Sequence, residues 1–500
     1  MARPAIVDTV LERRNAHADR VYLRFLEREV TWDELAESMW RAANRLREVG
    51  VEPGDRVALM MANAPEFLFA YLGALAAGAS TVPVNVAQRG AALEHILRDS
   101  ESVAAVIDDG LVEAARPAIP DEVTLLRRDT VLDAPAEEVE IPRGSRTGLG
   151  FMYTSGTTGP PKGVVAEAYD LSHVHDLLGR LGIEAGETIY TALPLFHGNA
   201  LILSAMGAIW NDWTLALAPR FSASRFLDDI RRYGAVEFTA LGAMIPILLK
   251  QPERPDDADN PARVCLSAAC PGWAWREFER RFGIRIVEFY GLVDYPGYLI
   301  NDEGVPGSMG RPKGATEFRV VDDEDREVSR GMVGELVMRH PGGRLTHYHN
   351  NPQATDEAYR GGWFHTGDLA YVDDDGFFYY AGRKKESMRR KGENISAWEI
   401  ENAVNQHPAV QECAAHAVAS PLGEDEVKLV VVRKPGERVT PQELVDFCTG
   451  RMADYAIPSY VEFRESLPKT ATHRVEYAAL KGEGITPSTW ERPAPVQTRR

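Results

Sequence analysis

The residues with the clearest chemical purpose form one short stretch, residues 153–163, which reads YTSGTTGPPKG. Its glycines let backbone N–H groups approach an anion, its hydroxyl groups add hydrogen-bond donors, and Lys162 adds a positive charge. This combination predicts a cradle for a polyphosphate, although the spacing differs from that of P-loop NTPases. A flexible surface loop is the alternative. The residues of the predicted cradle are Thr154, Ser155, Gly156, Thr157, Thr158, Gly159 and Lys162.

Other residues with reactive side chains also have plain structural explanations. His197 lies in a Phe-His-Gly sequence and is either a ligand-facing ring or a core histidine. Cys270 has no basic neighbour in the sequence, so a small buried residue is favoured over a nucleophile. Asp368 follows a glycine and is, on its own, typical of a turn-capping residue. Two His-x-His pairs, beginning at residues 173 and 347, lack a third metal ligand, which favours solvated loop histidines.

The elements that must position these residues alternate between helices and buried strands. Residues 31–34, Thr-Trp-Asp-Glu, have the spacing of a capping box and open an amphipathic helix. Apolar runs at residues 57–61 and 81–84, separated by a helix over residues 65–77, are typical of strands buried on both faces of a parallel sheet. This order predicts an α/β fold. After about residue 315, short strands between acidic or glycine turns predict a smaller β-rich lobe.

The strongest boundary signal is residues 382–392, GRKKESMRRKG, where six basic residues lie between two glycines in an acidic chain. Beyond it, a helix near residues 397–406, a strand at 427–432 and a helix at 441–452 predict a small α+β domain. The predicted organisation is a large domain of stacked α/β layers with the β-rich lobe over residues 1–382, a hinge over residues 383–388 and a small C-terminal domain over residues 389–500.

Composition and charge narrow the function classes. The 500 residues include 56 Lys and Arg against 74 Asp and Glu, a formal charge of −18, which disfavours binding to nucleic acid or to an anionic membrane. Four cysteines without a C-x-x-C pair indicate neither a disulfide scaffold nor a zinc ribbon. The uncharged residues 190–211 are interrupted by Pro194 and Gly198, which favours a strand, loop and helix over a bilayer span. We expect a cytoplasmic protein that acts on a small molecule, and the sequence is compatible with a homodimer.

The 153–163 stretch resembles, nearly letter for letter, the phosphate loop of the adenylate-forming superfamily, which comprises acyl- and aryl-CoA ligases, luciferases and the adenylation domains of peptide synthetases. The resemblance continues in the same order through LPLFHGNA at 193–200, GSMGRP at 307–312, GWFHTGD at 362–368 and GR at 382–383. The sequences FHGNA and KGENIS, the latter at the end of the basic segment, are similar to those of carnitine and short-chain acyl-CoA ligases in particular.

The resemblance implies an ATP site assembled from distant segments. Asp368 would accept both ribose hydroxyls, Arg383 would donate to the same ribose, and Tyr290 would stack on the adenine. Small side chains would let the planar base approach the backbone. His197 would be the aromatic gate between an acid pocket and a CoA tunnel. The remaining nucleotide contacts implied by the resemblance are Ala268, Ala269, Cys270 and Gly291, and the implied acid pocket comprises His197, Gly198, Asn199, Leu241, Gly242, Met244 and Leu292.

Three positions depart from the pattern of the family. Where the family usually has Tyr-Gly-x-Thr-Glu, Val293 has no hydroxyl for the α-phosphate, and Asp294 would bind Mg²⁺ with a shorter side chain than Glu. Where the family typically has a lysine that bridges the carboxylate and the α-phosphate, this chain has Arg474, which keeps the charge but not the geometry. The implied hinge residue is Lys385, about which the C-terminal domain would move. The implied catalytic residues are Lys162, His197, Asp294 and Arg474.

These observations predict an ATP-dependent, AMP-forming ligase that uses Mg²⁺. It would adenylate a small acyl or aryl acid, release pyrophosphate and transfer the acyl group to CoA. One alternative is an adenylate-forming enzyme with another acceptor, such as an ATP-dependent diazotase that activates nitrite for an aromatic amine. The other is a nucleotide-binding protein with eroded catalysis. The departures at 293, 294 and 474 keep the first alternative open, whereas the intact phosphate loop, Asp368 and Arg383 disfavour the second.

Overall fold

The structure is a computed structural model, and it describes residues 5–140, 151–154, 161–166, 172–242, 244–390, 393–419, 425–449, 451–470 and 474–493. Its Cα positions divide the chain into two compact units. The first unit comprises Met1–Phe318 and Met338–Phe364, and the second comprises Arg319–Val337 and His365–Arg500. The predicted domain boundary after residue 382 and the predicted hinge at Lys385 stay predictions.

The N-terminal part of the first unit alternates helices and strands. Its elements are α1 Ala5–His17, β1 Val21–Phe25, β2 Arg28–Thr31, α2 Trp32–Glu48, β3 Arg56–Met60, α3 Pro65–Ala76, β4 Ser80–Pro83, α4 Gly90–Asp99, β5 Ser102–Ile107, α5 Val112–Ala115 and β6 Thr124–Arg127. The strands β4, β3, β5 and β6 form a parallel sheet in that order. Helix α2 begins where the Thr31 hydroxyl accepts the N–H of Glu34 at 3.2 Å. The Glu34 carboxylate pairs with Arg28 at 2.6 Å.

The central sheet follows. Its part of the chain forms β7 Phe151–Thr154, β8 Lys162–Ala166, α6 Ser172–Gly179, β9 Thr188–Thr191, a π-helical segment Asn199–Met206, α7 Gly207–Asn211, β10 Thr214–Leu217, α8 Phe226–Tyr233, β11 Ala235–Leu241, α9 Met244–Leu249, β12 Val264–Ala268, α10 Gly272–Phe282, β13 Arg285–Gly291, β14 Tyr298–Asn301 and β15 Ser308–Lys313. The first unit arranges these strands in the order β15-β14-β13-β12-β11-β9-β10-β1-β2. Because β13, β12, β11, β9, β10 and β1 are parallel, the carboxyl ends of β11, β12 and β13 meet at one edge, where ligands bind in open α/β sheets.

The rest of the chain forms β16 Glu317–Val321, β17 Gly334–Arg339, β18 Thr346–Tyr348, α11 Pro352–Ala358, β19 Tyr359–Arg360, β20 Trp363–Val372, β21 Phe378–Arg383, β22 Ser387–Arg390, β23 Glu393–Ser396, α12 Ala397–Val404, β24 Val410–Ala419, β25 Asp425–Arg433, α13 Pro441–Cys448, β26 Tyr460–Arg464, α14 Tyr477–Glu483 and β27 Trp490–Glu491. Strand β18 returns to the first unit, where it pairs with β8. In the second unit, β24, β25, β26 and β27 form a sheet whose buried residues share a hydrophobic core with α12 and α13.

The prediction of an α/β fold with a small α+β C-terminal part is confirmed, and the mobility of that part stays a prediction. The uncharged residues 190–211 form the end of β9, the π-helical segment and α7, as predicted. None of the helices in the described residues combines the length and the apolar character that a transmembrane span requires. The prediction of loop histidines at residues 173–175 is wrong, because α6 covers them and buries Val174 and Leu177 on one face.

Candidate functional site

The turn after β12 is the predicted adenine wall, and its backbone has an uncommon conformation. Ala269 has φ of +69°, a left-handed value that is costly for a residue with a Cβ. The carboxyl group of Glu288 on β13 accepts the N–H of Ala269 and, at 3.1 Å, the N–H of Cys270. Glu288 is only 2 % exposed, so these hydrogen bonds satisfy a buried group and hold the turn open beside Ala268.

The protonation state of Glu288 suits this position. Burial raises the pKa of Glu288 to about 8, although hydrogen bonds from Ser267, Cys270 and Ala269 act in the opposite direction. The side chain is therefore largely neutral near pH 7, which lowers the cost of its burial while both backbone N–H groups stay bonded. Sequence reasoning missed Glu288, and the only signal was an acidic residue inside the apolar strand β13.

Cys270 is a buried residue with no sign of nucleophilic reactivity. It is 5 % exposed, and burial is the main cause that raises the pKa of its thiol, with a further contribution from the charge of Glu288. A thiol that stays protonated is a poor nucleophile. This environment agrees with the expectation that Cys270 is a small wall residue.

The predicted acid-pocket segment at the end of β11 lies directly against the adenine wall. A Cβ added to Gly242 would overlap the carbonyl oxygen of Ala269, so only glycine allows this approach. The N–H of Leu241 points to the sulfur of Met244 at 3.5 Å, which closes the turn between β11 and α9. The structure therefore brings Leu241, Gly242 and Met244 together and places Gly242 beside Ala269.

The His197 segment supplies a second part of the predicted pocket. The centroids of the His197 and Phe196 rings lie 4.7 Å apart. The backbone N–H of His197 donates to the carbonyl oxygen of Pro194 at 3.0 Å. A Cβ added to Gly198 would lie 3.0 Å from a methyl carbon of Val293. Asn199 begins the π-helical segment, a backbone form that is frequent at functional sites. The structure thus brings Gly198 into contact with the segment that follows β13.

Residues 290–294 comprise the carboxyl end of β13 and the first residues after it. Tyr290 and Leu292 are half-buried, and Gly291 is exposed. Tyr290 lies near the carboxyl end of β13, and its predicted stacking on the adenine stays a prediction. Val293 packs on Gly198 through its methyl group. Val293, the first departure from the family pattern, therefore has a packing role against Gly198.

A tyrosine joins the predicted phosphate lysine to the predicted metal ligand. Lys162 Nζ lies 4.9 Å from the centroid of the Tyr348 ring, and the Tyr348 hydroxyl donates to Asp294 Oδ1 at 2.9 Å. The Thr346 hydroxyl donates to the carbonyl oxygen of Asp294. Strand β18 therefore fixes Asp294 near Lys162, and sequence reasoning missed both Thr346 and Tyr348.

The donor set around Asp294 fits a Mg²⁺ ion that is shared with a nucleotide. Among the described residues, no group of three His, Cys, Asp or Glu side chains is arranged to hold a metal by itself. Mg²⁺ commonly binds through one or two carboxylates together with waters and substrate phosphates, so a single oriented carboxylate is a suitable partner. Thr154 pairs with Lys162 across β7 and β8. The predicted contacts Ser155, Gly156, Thr157, Thr158 and Gly159 lie outside the described residues.

The predicted ribose-binding pair lies in the second unit. Asp368 and Arg383 face each other across β20 and β21, and Arg383 Nε lies 2.7 Å from Asp368 Oδ1. The side chain of Asp368 is 2 % exposed, whereas that of Arg383 is 34 % exposed. Arg383 thus compensates the charge of a buried carboxylate and orients it.

Glu335 holds the turn that carries Asp368. Its carboxylate accepts hydrogen bonds from the backbone N–H of Gly367 at 3.2 Å and from Lys384 Nζ at 3.0 Å. The same carboxylate lies 3.3 Å from His365 Nδ1. Burial by itself raises the pKa of Glu335, but hydrogen bonds and charges from His365 and Lys384 outweigh it and lower the pKa to about 2. Glu335 is thus a positioning residue for the Asp368 turn that the sequence did not reveal.

The lowered pKa of Glu335 predicts an acid-dependent stability of this unit. Because the folded pKa of about 2 lies below the ordinary value of 4.5, the ionised group stabilises the fold above pH 4.5, and this contribution is lost as the pH falls toward 2. We expect Glu335→Gln to lower the Tm clearly at pH 7 and much less at pH 2.5, because most of the contribution is lost only near the folded pKa of about 2. Thermal unfolding followed by circular dichroism at both pH values tests this. An equal loss of Tm at the two pH values would contradict the ion-pair assignment.

Arg474 and Lys385 also lie in the second unit. Arg474 is exposed, and its backbone N–H donates to the Thr470 hydroxyl at 3.2 Å. The positive charge of Arg474 acts to lower the pKa of Tyr380 and of Glu386, against the larger effect of burial, which raises both. The charges of Asp368 and Arg383 also influence the pKa values of Tyr380 and Glu386. Arg474 therefore lies in the same electrostatic environment as the predicted ribose pair. The carbonyl oxygen of Lys385 accepts a hydrogen bond from Lys481 Nζ at 3.4 Å. Their predicted roles in catalysis and hinge motion stay predictions.

Comparisons with known proteins agree with this assembly of parts. Residues 11–347 match the family described as AMP-binding enzyme, and residues 399–474 match the AMP-binding enzyme C-terminal domain. The chain is 31 % identical to the crotonobetaine/carnitine–CoA ligase of Proteus mirabilis (strain HI4320), over 90 % of this chain and 92 % of that protein.

Two solved structures extend the comparison to the fold. The anthranilate CoA ligase AuaEII in complex with anthranoyl-AMP is 25 % identical with a TM-score of 0.85, over 96 % of this chain and 97 % of that one. The O-succinylbenzoate coenzyme A synthetase of Bacillus subtilis in complex with ATP and magnesium ion is 26 % identical with a TM-score of 0.82, over 94 % of this chain and 98 % of that one. The prediction of the family is confirmed.

Proposed function

Because the chain belongs to the AMP-binding enzyme family, we propose that it is an ATP-dependent, AMP-forming acid–CoA ligase. The observation that carries this proposal is the Lys162–Tyr348–Asp294 arrangement, which provides a cation and an oriented carboxylate next to the predicted phosphate loop. The names of the relatives support CoA as the acceptor, since the Proteus mirabilis protein and both structural relatives are CoA ligases or synthetases.

The first half-reaction joins the acid to AMP. A carboxylate oxygen of the acid attacks the α-phosphorus of ATP, the bond to the β-phosphate breaks, and pyrophosphate leaves with that electron pair. Lys162 would bind the phosphate tail and Arg474 would stabilise the charge that grows on the α-phosphate, in line with the usual importance of charge neutralisation in phosphoryl chemistry. Asp294 would hold Mg²⁺, which supplies further charge neutralisation when it is bound.

The second half-reaction transfers the acyl group. The CoA thiolate attacks the acyl carbon of the adenylate, the bond to the phosphate oxygen breaks, and AMP leaves. His197 would stand between the acid and the incoming thiol, and rotation about Lys385 would move Arg474 away from the site. Asp368 and Arg383 would keep the ribose bound through both steps.

Pyrophosphate release separates the proposal from its rivals. The assay combines Mg·ATP with a panel of aryl and short acyl acids, with and without CoA, and with nitrite plus an aminoaryl acid. Pyrophosphate followed by a CoA thioester supports the ligase. Release only with nitrite and the amine supports the diazotase, which stays a candidate because Val293 and Arg474 alter the groups that face the activated oxyanion. ATP binding without release of pyrophosphate under any condition would favour the nucleotide-binding protein.

A lysine substitution tests the phosphate assignment. We expect Lys162→Ala to lower kcat by about 30-fold, the equivalent of roughly 2 kcal/mol of charge-assisted hydrogen bonding, and to weaken ATP binding less. The physical reason is that the charge on the leaving pyrophosphate grows in the transition state, so the ammonium group contributes more there than in the ground state. Steady-state kinetics and calorimetry with ATP measure the two effects.

Lys434→Ala is the matched control, since Lys434 lies in the loop after β25 and has no proposed role. It should leave both kcat and ATP affinity unchanged. Equal kinetics for the wild type and Lys162→Ala would reject the phosphate assignment.

A further inference from the structure

Arg474 lies on one arm of a short antiparallel pair of segments, residues 468–470 and 474–476. Lys469 and Val475 form an antiparallel bridge between the two arms. The backbone N–H of Thr470 donates to the carbonyl oxygen of Arg474 at 2.8 Å, and the Thr470 hydroxyl accepts the backbone N–H of Arg474 at 3.2 Å. These bonds fix the two arms to each other, so the place of Arg474 in the second unit depends on what holds the pair as a whole.

Tyr477 connects this pair of arms to the interior of the second unit. It begins α14, three residues after Arg474, and its hydroxyl group lies 2.7 Å from Oε1 and 2.8 Å from Oε2 of Glu401 on α12. Glu401 Oε1 also accepts the backbone N–H of Ala415 on β24 at 2.7 Å. The carboxyl group of Glu401 therefore joins the start of α14 to α12 and to the sheet.

The protonation state of Glu401 suits this contact. Burial of the carboxyl group raises the pKa of Glu401 to about 8, although hydrogen bonds from Ala415 and Tyr477 act in the opposite direction. Near pH 7 the group is therefore mainly neutral. A neutral carboxyl group donates one hydrogen bond and accepts another, so both of its oxygens can bond the same phenol. The contact between Glu401 and Tyr477 thus depends on hydrogen-bond geometry rather than on attraction between opposite charges.

Apolar packing holds α14 independently of this contact. Val475 and Tyr477 pack against a buried cluster, whose members are Ala414, Val430, Val432, Leu467 and Leu480. Apolar contacts are not directional, whereas hydrogen bonds weaken steeply when their geometry is distorted. Removal of the Tyr477 hydroxyl alone should therefore leave the second unit folded and make the direction of the Arg474 arm less fixed.

We propose that Tyr477 and Glu401 are positioning residues for Arg474 in the adenylation step, because their contact fixes the chain three residues after Arg474. This inference rests on the proposed function, in which Arg474 stabilises the charge on the α-phosphate. Because Arg474 is exposed, the place of its guanidinium depends strongly on the backbone that carries it. Such placement matters for rate, since a shift of about 1 Å in a catalytic group can slow a reaction by about 10²-fold.

Tyr477→Phe tests this role, because it removes the hydroxyl group and keeps the packed ring. We expect it to slow ATP–pyrophosphate exchange, which measures adenylation, by about 10-fold, a part of the roughly 10²–10³-fold contribution of one charge-stabilising donor. The reaction of a synthetic acyl-adenylate with CoA should keep the rate of the wild type, since Arg474 has no proposed role in that half-reaction.

A double-mutant cycle with Arg474→Ala distinguishes positioning from a general loss of structure. If Tyr477 acts on adenylation only through Arg474, Tyr477→Phe should not slow exchange any further in a protein that already carries Arg474→Ala. If the hydroxyl group instead supported the fold in a way unrelated to Arg474, the two losses of rate would multiply.

Two variants of Glu401 and one control complete the design. Glu401→Gln should retain most of the exchange rate, because an amide donates and accepts as the neutral acid does, whereas Glu401→Met should slow exchange as Tyr477→Phe does. Tyr477→Phe decides the matter if Glu401→Met does not fold. Tyr379→Phe is the matched control: it removes a tyrosine hydroxyl that donates to Asp373 Oδ2 at 3.1 Å in the same unit, and it should leave exchange unchanged.

The outcomes separate this inference from the proposed function. Equal exchange in the wild type and Tyr477→Phe would overturn the positioning role and leave the ligase intact. Losses that multiply in the double-mutant cycle, or an equal loss in both half-reactions of Tyr477→Phe, would also overturn it. Absence of exchange in the wild type with every carboxylic acid would overturn the proposed function itself, and this inference with it.

Discussion

Replacing Arg474 with alanine is expected to slow pyrophosphate release by about 10²–10³-fold, the usual cost of losing one donor that stabilises charge in the transition state. The guanidinium lies on an exposed backbone segment that the Thr470 contacts hold in place, so its removal opens no cavity in the core. ATP affinity should stay near that of the wild type, because the interaction develops mainly as the carboxylate and the α-phosphate approach each other.

Assays of the two half-reactions show which step depends on Arg474. Pyrophosphate exchange measures adenylation, and the reaction of a synthetic acyl-adenylate with CoA measures thioester formation. Arg474→Ala should impair the first and spare the second, because the proposed rotation removes Arg474 from the site before CoA binds. A loss of equal size in both half-reactions would contradict an adenylation-specific role.

The choice of arginine at this position is testable as well. Arg474→Lys restores the residue that the family typically has, so it should retain more adenylation than Arg474→Ala. Arg116→Ala serves as the control, since this arginine is 61 % exposed and its nearest acidic partner, Glu113, is 3.9 Å away. Unchanged exchange kinetics in Arg474→Ala would assign the charge at the α-phosphate to another residue.

Local sequence patterns predicted the elements of the fold well. The apolar run at residues 57–61 became β3, and the Thr31 cap became the start of α2, because burial and capping depend on residues close together in the chain. The resemblance to the family implied that Asp368 and Arg383 serve one ribose site; the two residues form an ion pair across neighbouring strands, and the ribose role stays a prediction. Those features needed only short-range rules or a resemblance to known motifs.

The supporting residues of the site could not be predicted in the same way. Glu288 meets Ala269 across two strands, Tyr348 meets Asp294 from a strand that returns after more than fifty residues, and Glu335 meets Gly367 from another strand. No periodicity or spacing encodes such contacts, because they depend on tertiary pairing. Each of these residues orients a predicted site residue rather than carrying a motif of its own.

The Tyr348 contact also changes how the aspartate departure is understood. Asp294 reaches one methylene less far than glutamate, but a hydroxyl hydrogen bond to its side chain and another to its carbonyl group fix its position. A short carboxylate that is held in one orientation loses less conformational entropy on binding a metal than a free one. The departure at 294 is therefore compatible with Mg²⁺ binding, whereas Val293 provides packing and no polar contact.

Asp368→Ala is expected to weaken the binding of ATP and AMP by about 100-fold or more. Two hydrogen bonds from ribose hydroxyls to a buried carboxylate each contribute about 1.5–3 kcal/mol, so the loss of both exceeds the effect of any surface charge. The substitution also leaves Arg383 without the carboxylate that lies 2.7 Å from its Nε. Calorimetry with ATP and with AMP measures the loss, and both nucleotides should be affected equally because they share the ribose.

Two companion variants show whether this loss comes from ribose recognition. Asp368→Asn keeps the shape and one acceptor, so its affinity should lie between those of the wild type and Asp368→Ala. Asp374→Ala changes an exposed carboxylate in the turn between β20 and β21 and should leave nucleotide binding unchanged. If Asp368→Ala folds with the Tm of Asp374→Ala and binds AMP within about threefold of the wild type, Asp368 only compensates Arg383. The ribose would then be bound by other residues, because two charge-assisted hydrogen bonds cannot be lost at so small a cost.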